Sequence, residues 1–444
     1  MRRIKNIMLA VASVAMLSAC SNDFLEVTPQ DKISDASAFK DLESAQHVLS
    51  GCYDWMHNGW LSHNLDQYVF FLPDVMGEDA LVTSTGNYNR FVAPYEFNFT
   101  VSGTYAADPW QGAYSLIHNC NVITDNIGRL PECGERDQIE GEAKALRAYM
   151  YHFLIRLYAK PVSEAPQSPG VVLRLHPDTA PLGRATVQEV YDQMVADIED
   201  ACTKLEASGR TDKAYITAQG ANAIAARIYL DLKDETKGVT HADAAVAGTT
   251  LVNTEAGYHD VFVTQNSETI WDYPSTSDDK TYYLSLPSFW FYADGAKDGK
   301  YTGVESGYSS LVVTRNLINL YDDADIRKRA NFAWNEDASD WLKSPKGNGY
   351  LVRKVHSTTA FSLGEHNYLR ASEMYLIKAE LLADANEPVE ATKALNKVRI
   401  ARGIGEYTGN DLVNAIQLER RRELVCEGHR FFDIKRRGEA MTRT

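Results

Sequence analysis

Over long stretches the apolar positions of this chain keep helical phase, and in two intervals they lose it. From Phe39 to Trp55, residues Leu42, Ala45, Val48, Leu49, Cys52 and Tyr53 recur every three or four positions and so share one helix face. A second phased run begins at Asp108 with Trp110, Tyr114, Ile117 and Val122, and Gly128 stops it. A third carries Ile139, Ala143, Leu146, Met150, Phe153, Leu154 and Leu157 to about Ala159, where Pro161 ends it. Thr186-Val187-Gln188-Glu189 reads as a capping box opening a helix whose buried stripe is Val190, Met194, Ile198, Ala201 and Leu205. Thr217 to Leu232 is Ala-rich and helical, and a weaker helix is expected over Ala242 to Val252. Tyr368 to Ala383, a turn at Asn386-Glu387-Pro388 and Val389 to Ala401 form the clearest helix pair, with small Ala371, Ala379 and Ala391 permitting close approach. Helix pairs repeating at about 30 to 40 residues predict a tetratricopeptide-like scaffold, although the spacing is irregular.

The two unphased intervals differ in character from the helices. Asn58 to Val101 mixes Trp60, Tyr68, Phe70, Phe71, Tyr88, Phe91, Tyr95, Phe97 and Phe99 with Gly, Asn, Ser and Thr, and reads as loop-rich. From about Ala256 to His366, short β-type runs such as Asp260-Val261-Phe262-Val263 and Ser310-Leu311-Val312-Val313 lie among turn residues, with many more aromatics. The expected fold class is therefore mostly α. A helix-pair scaffold over about 36–57, 105–255 and 368–437 carries an irregular, loop-rich lobe with short strands over about 256–367.

The N-terminus sets where this domain works. Arg2, Arg3 and Lys5 precede a short apolar run that closes on Leu17-Ser18-Ala19-Cys20, the pattern of an export signal with a lipidation cysteine. On that reading residues 1–19 are removed, Cys20 carries lipid, and 20–35 form a polar tether to a domain spanning 36–444. The alternative is a secretory signal in which Cys20 carries no lipid. Sixty acidic against 45 basic residues give a net charge of −15, which disfavours nucleic acid and anionic membrane surfaces as partners of the body. Beyond Cys20 the cysteines are Cys52, Cys120, Cys133, Cys202 and Cys426, scattered and without a C-x-x-C pair. Buried thiols are favoured over a single disulfide such as Cys120 with Cys133.

The search for catalytic motifs is mostly negative. No G-x-S-x-G, H-E-x-x-H or P-loop sequence occurs, the histidines lack metal-ligand spacing, and no cofactor is implied. Asp74, Glu78 and Asp79 cluster near an aromatic loop and carry the alternative of a surface glycoside hydrolase, against the simpler role of solvated or helix-capping acids. Arg420 to Asp433 alternates both charge signs at helical spacing, which favours internal ion pairing over a ligand site, with Glu373, Lys378 and Glu380 as partners. The better lead is the density of Tyr and Trp in loop-like sequence. Exposed rings with polar rims suit sugars or peptide side chains.

Three stretches carry a resemblance. Cys20 to Gln30 (CSNDFLEVTPQ), Tyr368 to Glu380 (YLRASEMYLIKAE) and Arg421 to Asp433 (RRELVCEGHRFFD) together resemble the SusD/RagB family of nutrient-uptake lipoproteins, in the family's order and across nearly the whole chain. The resemblance implies an outer-membrane lipoprotein facing the medium, partnered by a SusC-type TonB-dependent channel, that captures oligosaccharide or, as in RagB-type uptake, peptide, without catalysis. It also implies that ligand contacts lie in the loop after the first helical segment and in the lobe before the second motif. In those windows Trp290 and Tyr292 are the expected stacking platforms, with Tyr88 facing them and Tyr95, Tyr282 and Tyr283 nearby; Asn87, Arg90 or Asp294 would supply hydrogen bonds. One departure is that family members usually continue well past the Phe-Phe-Asp segment, whereas here Arg443-Thr444 follow soon after Gly438, which leaves the ligand face and channel contact open to question.

Overall fold

The computed structural model describes residues 38–57, 65–85, 87–274, 286–290, 308–335, 338–355 and 366–443. In chain order the elements are α1 (Leu42–His57), α2 (Leu65–Val75), β1 (Ala80–Val82), α3 (Val92–Tyr95), α4 (Thr104–Asn126), α5 (Gly134–Tyr158), α6 (Val187–Ser208), α7 (Ala218–Leu232) and α8 (Glu235–Ala245). Then follow α9 (Glu255–Asp260), β2 (Thr269–Tyr273), α10 (Leu286–Trp290), β3 (Leu311–Val313), α11 (Arg315–Ile318), α12 (Ile326–Asn331), β4 (Trp334–Asn335), β5 (Asp340–Trp341) and β6 (His366–Arg370). The chain closes with α13 (Ala371–Asp384), α14 (Pro388–Ala401), α15 (Leu412–Glu423) and α16 (Arg430–Arg437).

The fold class is the expected one: mostly helical, with neighbouring helices packed as pairs, α5 on α6, α7 on α8 and α13 on α14. The capping box forms as read, Glu189 N–H donating to Thr186 Oγ1 at 3.2 Å and Thr186 N–H to the Glu189 carboxylate at 2.7 Å. Helix α5 is the central column. Ala143, Leu146, Met150, Phe153 and Leu154 are fully or almost fully buried on it, and its one buried cation, Arg147, is held by Asp197 at 2.6 Å. Gly141 lies where α5 meets Leu205 of α6, so any side chain there would press on the pair.

Four expectations about elements are corrected. Leu65 to Val75, read as loop, is a helix that buries nearly every residue, including Phe70 and Phe71; its all-round apolar character hides the amphipathic period. The weak helix at Ala242 to Val252 instead occupies Glu235–Ala245, opened by Asp234, whose carboxylate accepts from Lys237 N–H. Asp260 to Val263 is a helix end and turn, while the β-type character falls on β2, which pairs antiparallel with β6 through a bulged register. That pairing takes Tyr368 out of the helix assigned to it and stacks its ring on Trp271 at 4.3 Å. A second two-stranded ladder, β1 with β3, sets Ala80 opposite Val313 and ties the early loop region to the lobe.

Cys52, Cys120 and Cys426 are buried free thiols, Cys202 is half-buried and free, and Cys133 is exposed and free at the cap of α5. Cys120 and Cys133 are not bonded to each other. Among the described residues no helix is long and apolar enough to cross a membrane. The signal, Cys20 and the whole tether lie outside the described residues.

Candidate functional site

Between β1 and α3 the backbone takes an unusual path. Tyr88, Asn89 and Phe91 all adopt left-handed φ values, 56°, 61° and 60°, which for residues with a Cβ cost about 1–2 kcal/mol each. Side chains hold the turn in place. Asn87 Oδ1 accepts from Asn89 N–H at 2.8 Å, Asn87 Nδ2 donates to the Arg90 carbonyl, and Phe91 N–H donates to Tyr105 Oη at 2.7 Å. From the other side Ser84 and Thr85 N–H both donate to the Lys346 carbonyl, and the Thr83 hydroxyl donates to the carbonyls before β3.

The strained turn lifts one ring into solvent. Tyr88 is 75% exposed, and its ring meets Tyr308 edge-on at 5.7 Å. The Arg90 guanidinium lies 3.9 Å over the Tyr308 ring and 5.2 Å from Tyr88, while Tyr308 stacks on buried Phe289 beneath. Tyr308 is itself fixed at its backbone, its N–H donating to Ser288 Oγ and its carbonyl accepting from Lys346 Nζ. The result is a small preorganised platform with two phenol rings and a cation between them. Such a surface offers apolar faces and N–H donors together.

Not every expected contact joins this platform. Tyr88 and Arg90 do. Trp290 does not: it is 1% exposed and packs beside Phe71 of α2, so its ring belongs to the core, and the stacking role expected of it is corrected. The reason is long-range: Leu286, Phe289 and Trp290 fall on one short helix, and packing against Phe71 of α2 turns its apolar side inward. Asn87 is buried and committed to the turn, which makes it a positioning residue rather than a ligand donor. Tyr95 is half-buried under the Arg443 guanidinium at 4.3 Å, with Phe97 also against that side chain. Tyr282, Tyr283, Tyr292 and Asp294 lie outside the described residues. Tyr308 and Phe289 complete the platform; both stood among the lobe aromatics of the sequence, but nothing local distinguishes the ring that surfaces from the ring that supports it.

The mixed-charge C-terminal stretch does something else. Glu423 sits fully buried between Arg327, Arg370 and Arg402, pairing with Arg327 and Arg402 at 2.8 Å and also with Arg370. Glu427 joins Arg370 at 2.7 Å and Lys354 at 2.5 Å, and Glu268 reaches Arg402 at 2.8 Å. The surrounding guanidinium groups hold the Glu423 carboxyl well below the ordinary carboxylate range despite its burial. A second set joins α16 to α13: Arg420 and Arg436 share Asp433, and Glu380 accepts from Arg436 and Arg437. Of the partners expected for the arginines, Glu380 serves as read; Glu373 pairs with Arg227 at 2.6 Å and Lys378 with Asp243 at 2.7 Å. Gly428 belongs to the same construction, with φ of 78° and a backbone so close to Val69 that a Cβ would strike its carbonyl oxygen.

Comparison with known proteins fits this arrangement. A family model described as "Starch-binding associating with outer membrane" matches residues 23–230, and one described as "SusD family" matches 290–444. The chain belongs to the SusD/RagB family. A SusD-like protein of Formosa agariphila is 26% identical over 99% of this chain and 93% of its own length. Among solved structures, a SusD superfamily protein of Bacteroides thetaiotaomicron superposes with a TM-score of 0.77 at 23% identity, covering 91% of this chain and 90% of that one. A SusD-like carbohydrate binding protein of Bacteroides vulgatus does so with a TM-score of 0.77 at 26% identity, over 91% and 85%.

Within the SusD/RagB fold, the Asp74, Glu78 and Asp79 cluster acts as a clamp. Arg421 pairs with Asp79 at 2.5 Å and with Glu78 at 2.8 Å, and Arg430 reaches Glu78 at 2.7 Å. Asp74 accepts from Gly428 N–H and lines a void of only about 20 Å³, far below the several hundred Å³ of a ligand pocket. Burial raises the Asp74 carboxyl from 3.8 to about 7. Between those values the folded state holds a proton that the unfolded chain has lost, so this group's contribution to stability falls as pH rises through the interval. Asp74→Asn keeps an oxygen for Gly428 and removes the titration. The variant should therefore gain on the wild type in urea midpoint between pH 5 and pH 8, by a difference on the order of 3 kcal/mol. A difference that is flat with pH overturns this assignment.

Proposed function

We propose that this chain is a cell-surface glycan-binding lipoprotein, tethered through lipid on Cys20, that captures oligosaccharide and passes it to a SusC-type TonB-dependent channel without chemistry of its own. The observation that carries the reading is the Tyr88, Arg90 and Tyr308 platform, held rigid by a strained turn on a SusD/RagB scaffold. Strain persisting on an exposed aromatic loop is a mark of preorganisation for a ligand. The relatives support the class, since one solved neighbour is itself described as a SusD-like carbohydrate binding protein. Pairing of the acidic cluster with Arg421 and Arg430 fits a structural role for it rather than a hydrolytic one.

In this reading a pyranose ring lies on Tyr88 and its hydroxyls accept from the Arg90 guanidinium. Tyr282, Tyr283 and Tyr292 are proposed as further ligand-stacking residues, with Asp294 accepting from sugar hydroxyls. The test is affinity electrophoresis of the domain without residues 1–20 through gels containing soluble neutral polysaccharides. Retarded migration with unchanged polymer is expected. Tyr88→Ala with Arg90→Ala removes on the order of 80 Å² of apolar contact, about 2 kcal/mol, or roughly thirtyfold in Kd. Unaltered retardation in this double variant removes the platform from the reading, depolymerisation of the polysaccharide supports an enzyme, and retention of peptides alone supports RagB-type uptake.

A further inference from the structure

A second surface on the scaffold has the makings of a binding site. Along α4, Trp110, Tyr114 and His118 follow one another at four-residue steps, and Gln111, Ser115 and Asn119 follow one another beside them at the same steps. Both rows line an open groove of about 750 Å³. Trp55 of α1 and the segment around Val172 and Arg174 form its walls.

The Trp110 and Tyr114 rings are held firmly yet keep part of their surface open to the groove. Trp110, Tyr114 and Trp55 are each half-buried. Trp55 Nε1 donates to the Gly112 carbonyl at 3.1 Å, Trp110 meets Tyr158 edge-on at 5.1 Å, and Tyr114 Oη donates to the Val172 carbonyl at 2.5 Å. The wall is rigid too, because Arg174 is tied to Asp178 and the Ala180 carbonyl while its own N–H donates to Tyr151 Oη. By contrast, among the described residues no hydrogen bond engages the side chains of Gln111, Ser115, His118 and Asn119.

We infer that this groove is a second glycan-binding site, for a neutral oligosaccharide. Four residues of helix rise about 6 Å, so each ring of the first row comes paired with an uncharged amide or hydroxyl of the second at a step that matches successive sugar units. Rings for the apolar faces of pyranoses, flanked by neutral donors and acceptors for their hydroxyls, are the chemistry that recognises uncharged sugar. The groove's wall cation, Arg174, is already neutralised by Asp178, which leaves little to hold an acidic glycan. Trp110 and Tyr114 are tilted by 44° at 4.9 Å, so the floor is curved and favours a soluble, twisting chain over a flat polymer surface. Capture at two separated points would raise the avidity of the lipoprotein for long polymers without changing either site.

The site is independent of the Tyr88 platform, and the experiment separates them. Isothermal titration with maltohexaose, cellohexaose, xylohexaose and mannohexaose should give, for at least one of them, two sugars bound per chain. Gln111→Ala with Asn119→Ala leaves the packed rings intact, and it should remove one of the two sites or weaken it at least tenfold with an unchanged melting temperature. Trp110→Ala should abolish that site, and Tyr88→Ala with Arg90→Ala should spare it. Binding that one groove-side variant alters while the Tyr88 variant does not supports the groove even where the platform reading fails. A single site lost in the Tyr88 variant alone, no hexasaccharide bound at all, or binding of casein peptides alone would each overturn the inference.

Discussion

Replacing Glu423 by Ala is expected to cost about 3–5 kcal/mol, a large fraction of the stability of an ordinary domain. Removing this carboxylate leaves Arg327, Arg370 and Arg402, all essentially inaccessible to solvent, facing one another with one anion fewer. The penalty is the uncompensated buried charge rather than the lost attraction, because water cannot enter to solvate the guanidinium groups. Glu390, whose pair with Lys393 lies at 2.5 Å but is well exposed, sets the contrast: its replacement by Ala should shift stability by less than about 0.5 kcal/mol. Urea denaturation followed by circular dichroism reads both. A midpoint for the Glu423 variant within error of wild type would refute the ionic core as a structural requirement. The same carboxyl also gives the pH sign. Glu423, Glu427 and Glu380 are all held below their ordinary values by neighbouring guanidinium groups, so their contribution is complete above the unfolded carboxylate range and is lost as pH falls through the folded values.

Trp290→Ala should lower stability by about 3–5 kcal/mol and leave the affinity of the remaining folded protein for glycan unchanged. Trp290 packs beside Phe71, which in turn meets Phe289 at 5.0 Å and Phe91 at 5.4 Å, and these rings join α2, the Tyr88 turn and α10 into one cluster. Truncation opens a cavity the size of an indole in a region that resists collapse, because Ala80 and Val313, which line the same small void as Trp290, are fixed by the β1–β3 ladder. Measuring the urea midpoint and the electrophoretic retardation on the same preparation distinguishes the roles. A stable variant with lost retardation would return Trp290 to the ligand surface and sink its assignment to the core.

These two residues mark where sequence reading succeeded and where it stopped. The structural role of the charged C-terminal stretch was legible in its mixed signs, and Glu380 proved to be a partner of Arg420 at 3.6 Å, but Glu423, Glu427 and Arg421 find their partners outside the stretch rather than within it. Glu268 and Lys354, which complete the inner cluster, carried no signal, since they arrive from loops more than fifty residues away. Among the aromatics, Tyr88 and Trp290 look alike in sequence, each a ring in turn-rich surroundings. They separate only when long-range packing assigns one 75% exposure and the other 1%.

By itself the sequence determined the helical scaffold, the helix pairs and the capping box, because each rests on interactions between residues a few positions apart. Periodicity, caps and stop signals are local, and tertiary packing had no reason to oppose them. Only the tertiary structure decided which rings surface, which acids are clamped and where Tyr368 ends its helical role. Those outcomes depend on strands β1 with β3 and β2 with β6 meeting across hundreds of residues or nearly a hundred, and on burial that no local pattern encodes.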